Sequence, residues 1–135
     1  MLYAINSIVF LMRNFNIHDF RDLEAFFKGK SEIALTLFHH FVNEIQKVGP
    51  VTLHPAKTMI GIANANKRIV YITQHGKNFI HVVFPFKRRY EDNLCFQKIA
   101  QVPGDIQYNH HFRMFSKEDV NDEVIEFMRL AYKGG

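Results

Sequence analysis

The sequence predicts an α+β domain: a single antiparallel sheet of about five strands, with two N-terminal helices and one C-terminal helix packed on one face. Three observations lead there. Apolar residues recur at helical spacing up to Gly49 and again after Ser116. Between those points the period falls to two. The strand-like runs also follow one another with too little chain for helical crossovers, which requires antiparallel pairing.

Asp19 to Lys28 is a short amphipathic segment carrying Phe20, Leu23, Phe26 and Phe27, and Gly29 stops it. Ser31 then reads as an N-cap. Behind it, Ile33, Ala34, Leu37, Phe38, Phe41, Val42, Ile45 and Val48 form one helical stripe. Gly49-Pro50 ends this helix, with glycine as its C-cap and a proline that cannot continue it. In the first strand, Thr58, Ile60 and Ile62 alternate with Lys57, Met59 and Gly61. Arg68–His75 and Asn78–Phe86 form a hairpin through Gly76-Lys77. Two weaker runs, Cys95–Val102 and Ile106–Phe115, flank the turn Pro103-Gly104-Asp105. Ser116, with Asp119 three residues on, is expected to cap a final helix whose stripe is Val120, Val124, Phe127, Met128 and Ala131.

Composition narrows the function classes. The 135 residues are 47% apolar, include 14 Phe, and are enough for one cored domain. The single Cys95 excludes an intramolecular disulfide and a multi-cysteine zinc cage, and it fits a reducing, cytoplasmic setting. Its apolar neighbours, Leu94 and Phe96, make it a packing residue rather than a nucleophile. Net charge is +4, which favours anionic partners, and its tightest run is Lys87-Arg88-Arg89. Met1–Met12 carries no charge and is too short to span a bilayer, so no membrane role is expected. Residues 1–13 are read as an extra element that could join a homodimer, or as the product of an early start codon before Met12, and 14–135 as the domain itself.

Polar chemistry gathers in two places: His54-Pro55-Ala56-Lys57-Thr58 and His110-His111-Phe112-Arg113. In a strand, His111 and Arg113 share one face and His110 and Phe112 the other. If the Lys57 side of the first strand meets the His111–Arg113 side of the last, an imidazole lies between two cations, a setting for carboxylate or phosphate. A metal site would need convergence of His54, His81, His110 or His111, and no ligand spacing supports one. Nucleophile elbow, paired strand carboxylates and phosphate-cradling glycine loop are absent, and no cofactor is implied.

The ordered set Gly29-Lys30-Ser31, Val48 to Thr58, His110 to Arg113, Ser116 to Val124 and Ala131-Tyr132 resembles an uncharacterised bacterial domain-of-unknown-function family, some members of which are labelled predicted transport proteins. Its pattern runs GPV-x-x-HP-x-KT, HHFR, S-x-(D/E)-D-(V/L)-(D/N)-(D/E)-E, then AY, over about residues 14 to 134. The resemblance implies a polar signature on His54, Lys57, Thr58, His110, His111 and Arg113. It implies an acidic set on Asp119, Asp122 and Glu123, with Asn121 where Asp is usual. No established activity comes with it. The architecture is also similar to YdhG-like and frataxin-like small domains, some of them discussed as iron carriers, although the helix from Ser31 to Val48 offers only Glu32 and Glu44 as oxygen ligands.

The expected function is a non-enzymatic binding domain. It would hold an anionic small molecule or an acidic protein through His54, Lys57, Thr58, His111 and Arg113, the two histidines acting as orienting donors. The first alternative is a nucleic-acid module using Lys67, Arg68, Lys77, Lys87, Arg88 and Arg89 with Phe79 or Tyr90 for stacking. The second is an enzyme with His54 or His111 as general base.

Overall fold

The computed structural model describes residues 20–134, so the expectations for residues 1–13 lie outside the described residues. In chain order it contains helix α1 (Phe20–Phe27), helix α2 (Glu32–Val48), strands β1 (Thr52–Pro55), β2 (Ile60–Ala63), β3 (Arg68–His75), β4 (Ile80–Phe86), β5 (Lys98–Gln101) and β6 (Tyr108–Met114), a 3-10 turn (Lys117–Asp119) and helix α3 (Asp122–Lys133). The strands form one sheet of order β1-β2-β3-β4-β6-β5, antiparallel throughout. This is the expected α+β class, with six strands rather than about five.

The additional strand is β1, which lies ahead of the Lys57–Ile62 alternation read as the first strand. Pro55 has no N–H to continue a ladder. The Ala56 N–H instead donates to the Met59 carbonyl at 2.8 Å, closing a turn that folds β2 back onto β1. Lys57 and Thr58 therefore occupy an exposed turn rather than a strand.

Ser31 begins α2 as its sequence position predicts. Its Oγ accepts the Ala34 N–H at 3.0 Å, and its hydroxyl donates to the Lys77 carbonyl at 2.7 Å, tying the helix start to the β3–β4 hairpin. Most of the predicted stripe is buried, from Ala34 to Ile45, but Ile33 is 54% exposed and Leu35 is buried instead. The helix touches β4, α3 and the 3-10 turn, so its buried arc is wider than a single stripe and faces away from Ile33.

Gly49 is the C-cap of α2, as expected, and it caps with extended backbone, at a φ of 177°. A Cβ there would collide with the Tyr132 ring. The Tyr132 hydroxyl donates to the Pro50 carbonyl at 2.8 Å, and Asn64 Nδ2 donates to the Tyr132 carbonyl at 2.8 Å. The last turns of α3 thus clamp both the α2–β1 and β2–β3 connections.

Ser116 caps the 3-10 turn rather than α3. Asp119 turns its carboxylate back to the N–H groups of Phe115 and Ser116, at 2.7 and 3.0 Å, and this closes the turn. The final helix starts afresh behind Asn121, whose Oδ1 accepts the Val124 N–H at 3.0 Å. Val120 is buried, as predicted, but ahead of the helix.

Leu53, Ile60, Ile62, Val70, Ile72, Val82, Phe84, Phe112 and Met114 share one core with Phe38, Phe41, Ile45, Val124 and Met128. This inner face of the sheet is the one the helices cover. Val83 and Ala63 are buried yet stand apart from that core, because alternate strand positions point the other way. That second, outer face carries the polar chemistry.

Candidate functional site

The β4–β6 ladder sets the geometry. Phe84 pairs with His110, Val83 with His111, Val82 with Phe112 and His81 with Arg113. Period two then sends His110 inward and His111 and Arg113 outward, as the sequence predicts.

His110 is fully buried. Its Nδ1–H donates to the Tyr108 carbonyl at 3.0 Å, which leaves Nε2 to accept the Tyr90 N–H at 3.0 Å. Phe86, Tyr90 and Phe96 surround the ring with centroids 4.9 to 5.7 Å away. Burial holds its pKa below the ordinary imidazole value. Both nitrogens are used, so this histidine anchors the loop after β4 to the core.

On the outer face, His81 Nε2 and His111 Nδ1 lie 2.8 Å apart, and Arg113 Nε lies 3.4 Å from His81 Nδ1. Chemistry assigns the protons. A guanidinium only donates, so His81 Nδ1 accepts and its hydrogen sits on Nε2. That hydrogen is given to His111 Nδ1, which places the His111 hydrogen on Nε2. The row Arg113, His81, His111 therefore turns N–H donors toward its far end. Lys98 faces His111 in the β5–β6 register and is exposed. Burial, then the charges of His111, Arg113 and Lys98, holds His81 below its usual pKa; burial and Lys98 do the same for His111. Both shifts favour the neutral imidazole.

An aromatic pair adjoins the cations. The Arg113 guanidinium lies 4.4 Å above the Phe79 ring, and Phe79 meets Phe115 at 5.7 Å. Gly76 makes room for this, since a Cβ there would run into the Phe79 ring. Phe115 is 55% exposed. Farther along the same face, the Arg68 side chain lies over Gly61, 2.9 Å from where a Cβ would be.

The two sequence clusters are not brought together. His54 does lie on the outer face, in the cross-strand row Gly61, Tyr71, Val83, His111. Four strand steps separate it from His111, roughly 19 Å. His54 Nε2 lies 2.8 Å from Thr52 Oγ1. The imidazole between two cations exists, but Lys98 takes the place imagined for Lys57, and His81 joins it. The sequence alone marks His81 only as a metal candidate, because one strand in isolation does not reveal its neighbour across the ladder.

The positive charge is also less scattered than it reads along the chain. Every Asp and Glu of the described residues lies in a helix, the 3-10 turn or a loop; none is in a strand. The signal was available: between Glu44 and Glu91 the sequence holds eight Lys and Arg and no carboxylate. The run Lys87-Arg88-Arg89 partly engages its own loop and the start of β6. Arg88 lies 4.8 Å over Tyr90, Arg89 5.7 Å over Tyr108, and Arg89 pairs with Glu91 at 2.8 Å.

Cys95 is half-buried, and its thiol is pushed up to about 12 by burial and then by its hydrogen bond to Glu123. No three His, Cys, Asp or Glu converge to a metal-binding group among the described residues. No helix among them is long and apolar enough to cross a membrane.

Neither a curated protein nor a solved structure matches the chain. Residues 23–134 do match a family described only as a domain of unknown function, DUF5655, which covers all six strands, helix α2 and the whole of the clamp formed by Tyr132. On that match the chain belongs to the DUF5655 family.

Proposed function

We propose that this domain binds an anionic group on the outer face of its sheet, at Lys98, His111 and Arg113, with His81 as the positioning residue between the last two. The observation that carries the reading is the direction of the hydrogen-bond row. Arg113 fixes the His81 tautomer and His81 fixes that of His111, so the cluster offers solvent N–H groups and an ammonium but no free acceptor. A phosphate or carboxylate supplies the acceptors this arrangement lacks, with charge assistance from the flanking cations. The same direction argues against His111 as a general base, since its outward nitrogen already carries a hydrogen. His54, Lys57 and Thr58, at the far end of the sheet, serve at most as a separate contact.

The test is an NMR titration of the imidazole protons with inorganic phosphate and with citrate at low salt. Selective shifts of His111 and His81, with His110 unmoved, support the reading. They should disappear in Lys98→Ala and Arg113→Gln. Shifts spread evenly over all histidines, or none at millimolar anion, would remove it.

A further inference from the structure

Resting on that anion-binding reading, we propose that the ligand class is single-stranded nucleic acid, laid across the outer face with a phosphate at Lys98 and His111 and a base stacked on Phe115. Two independent observations point to it. The first is charge complementarity over the whole face rather than at one point. The strands hold no carboxylate, while Lys98, Arg113 and Arg68 stand on the outer side of β5, β6 and β3. A small anion needs one such cation pair; a polyphosphate backbone uses a series of them. The second is the aromatic pair. Arg113 is stacked on Phe79, and Phe115 presents a half-open ring next to it. Phosphate or a simple carboxylate gains nothing from an exposed phenyl ring, whereas a nucleobase stacks on it without needing a particular sequence.

The flat face also selects for strandedness. Bases in a duplex are stacked on each other, so an exposed ring on a sheet reaches only unpaired ones. Six strands give a platform of roughly 24 Å, enough for several nucleotides. Acidic protein would satisfy the cations and leave Phe115 unused, which makes it an outcome to be tested rather than an equal reading.

The protein has no tryptophan, so a Phe115→Trp variant of the full chain carries a single reporter. Fluorescein-labelled dT12 and rU12, inorganic polyphosphate and polyglutamate are titrated into it, followed by anisotropy or by emission of the introduced indole. The expected result is micromolar binding of the oligonucleotides with quenching of the reporter, and weaker, non-quenching binding of the other two polyanions. Phe115→Ala should weaken dT12 binding about tenfold while leaving polyphosphate unchanged. Lys98→Ala should weaken both and reduce the salt dependence of binding. Equal affinity for polyphosphate or polyglutamate and dT12, or insensitivity to Phe115→Ala, overturns the nucleic-acid assignment while the anion site stands. Binding of none of the four, together with a silent phosphate titration, overturns both.

Discussion

Across the β4–β6 ladder, His81 Nε2 meets His111 Nδ1 at 2.8 Å, and the pair is polarised from one end by Arg113. An imidazole pair flanked by cations resists protonation, because either proton would disrupt a donor–acceptor contact and add charge beside Arg113 or Lys98. A bound anion reverses that balance and raises both pKa values. Anion binding should therefore tighten as pH falls from 7 toward 5 and should take up protons. Calorimetric titrations in buffers of different ionisation enthalpy will report this uptake, and His81→Gln should reduce it.

His75 sets the acid limit of stability. Its ring packs against Phe26, Phe27 and Phe38, and its buried Nε2 has no hydrogen-bond partner. Burial, then the charge of Lys30, lowers its pKa to about 4. The unfolded chain, near 6.5, then binds the proton more readily than the folded one. Stability should be fully present above pH 6.5, fall between 6.5 and 4, and level off below, losing about 3 kcal/mol from this residue. His75→Phe should flatten that part of a denaturation-versus-pH profile.

The Tyr132 clamp gives a pair of graded substitutions. Tyr132→Phe removes only the hydrogen bond to Pro50 and should cost about 1 kcal/mol. Gly49→Ala drives a methyl into the phenol ring and should cost about 1–3 kcal/mol. Combined with Tyr132→Ala, the Gly49→Ala penalty should largely vanish. Urea denaturation of these variants measures the coupling.

His110→Leu keeps an apolar filling but orphans the half-buried Tyr90 N–H, for an expected loss of about 1–2 kcal/mol. Its anion binding should survive, unlike that of His111→Leu. This contrast separates two adjacent histidines by stability on one side and affinity on the other.

Native Cys95 should alkylate far more slowly than a free thiol at pH 8, since its pKa is pushed up to about 12. Glu123→Gln removes the carboxylate acceptor and should speed labelling with iodoacetamide, while Leu94→Ala, at a 97% exposed position, should not.

Local signals in the sequence locate the helices and most strands because those elements are written in short-range periodicity. The His110/His111 division follows from period two alone. What the sequence hides is pairing across distance. Pro55 ends a separate edge strand ahead of β2, β6 inserts between β4 and β5, and only that order places Lys98 and His81 against His111. The same order sets His54 and Lys57 apart from Arg113, although both clusters look alike in one dimension. Gly49 caps α2 as its sequence position predicts, but what requires a glycine there is the distant Tyr132 ring, not its own backbone angle.

Among the described residues the strands carry Arg68, Lys98 and Arg113 and no carboxylate, so the outer face of the sheet is a cationic side of the molecule. Such a body is oriented by a charged surface before it makes any contact. On a cation-exchange resin it should be retained by one side, and more firmly than a net charge of +4 accounts for. Retention should persist near pH 9.3, where the overall charge vanishes but Arg68 and Arg113 keep theirs.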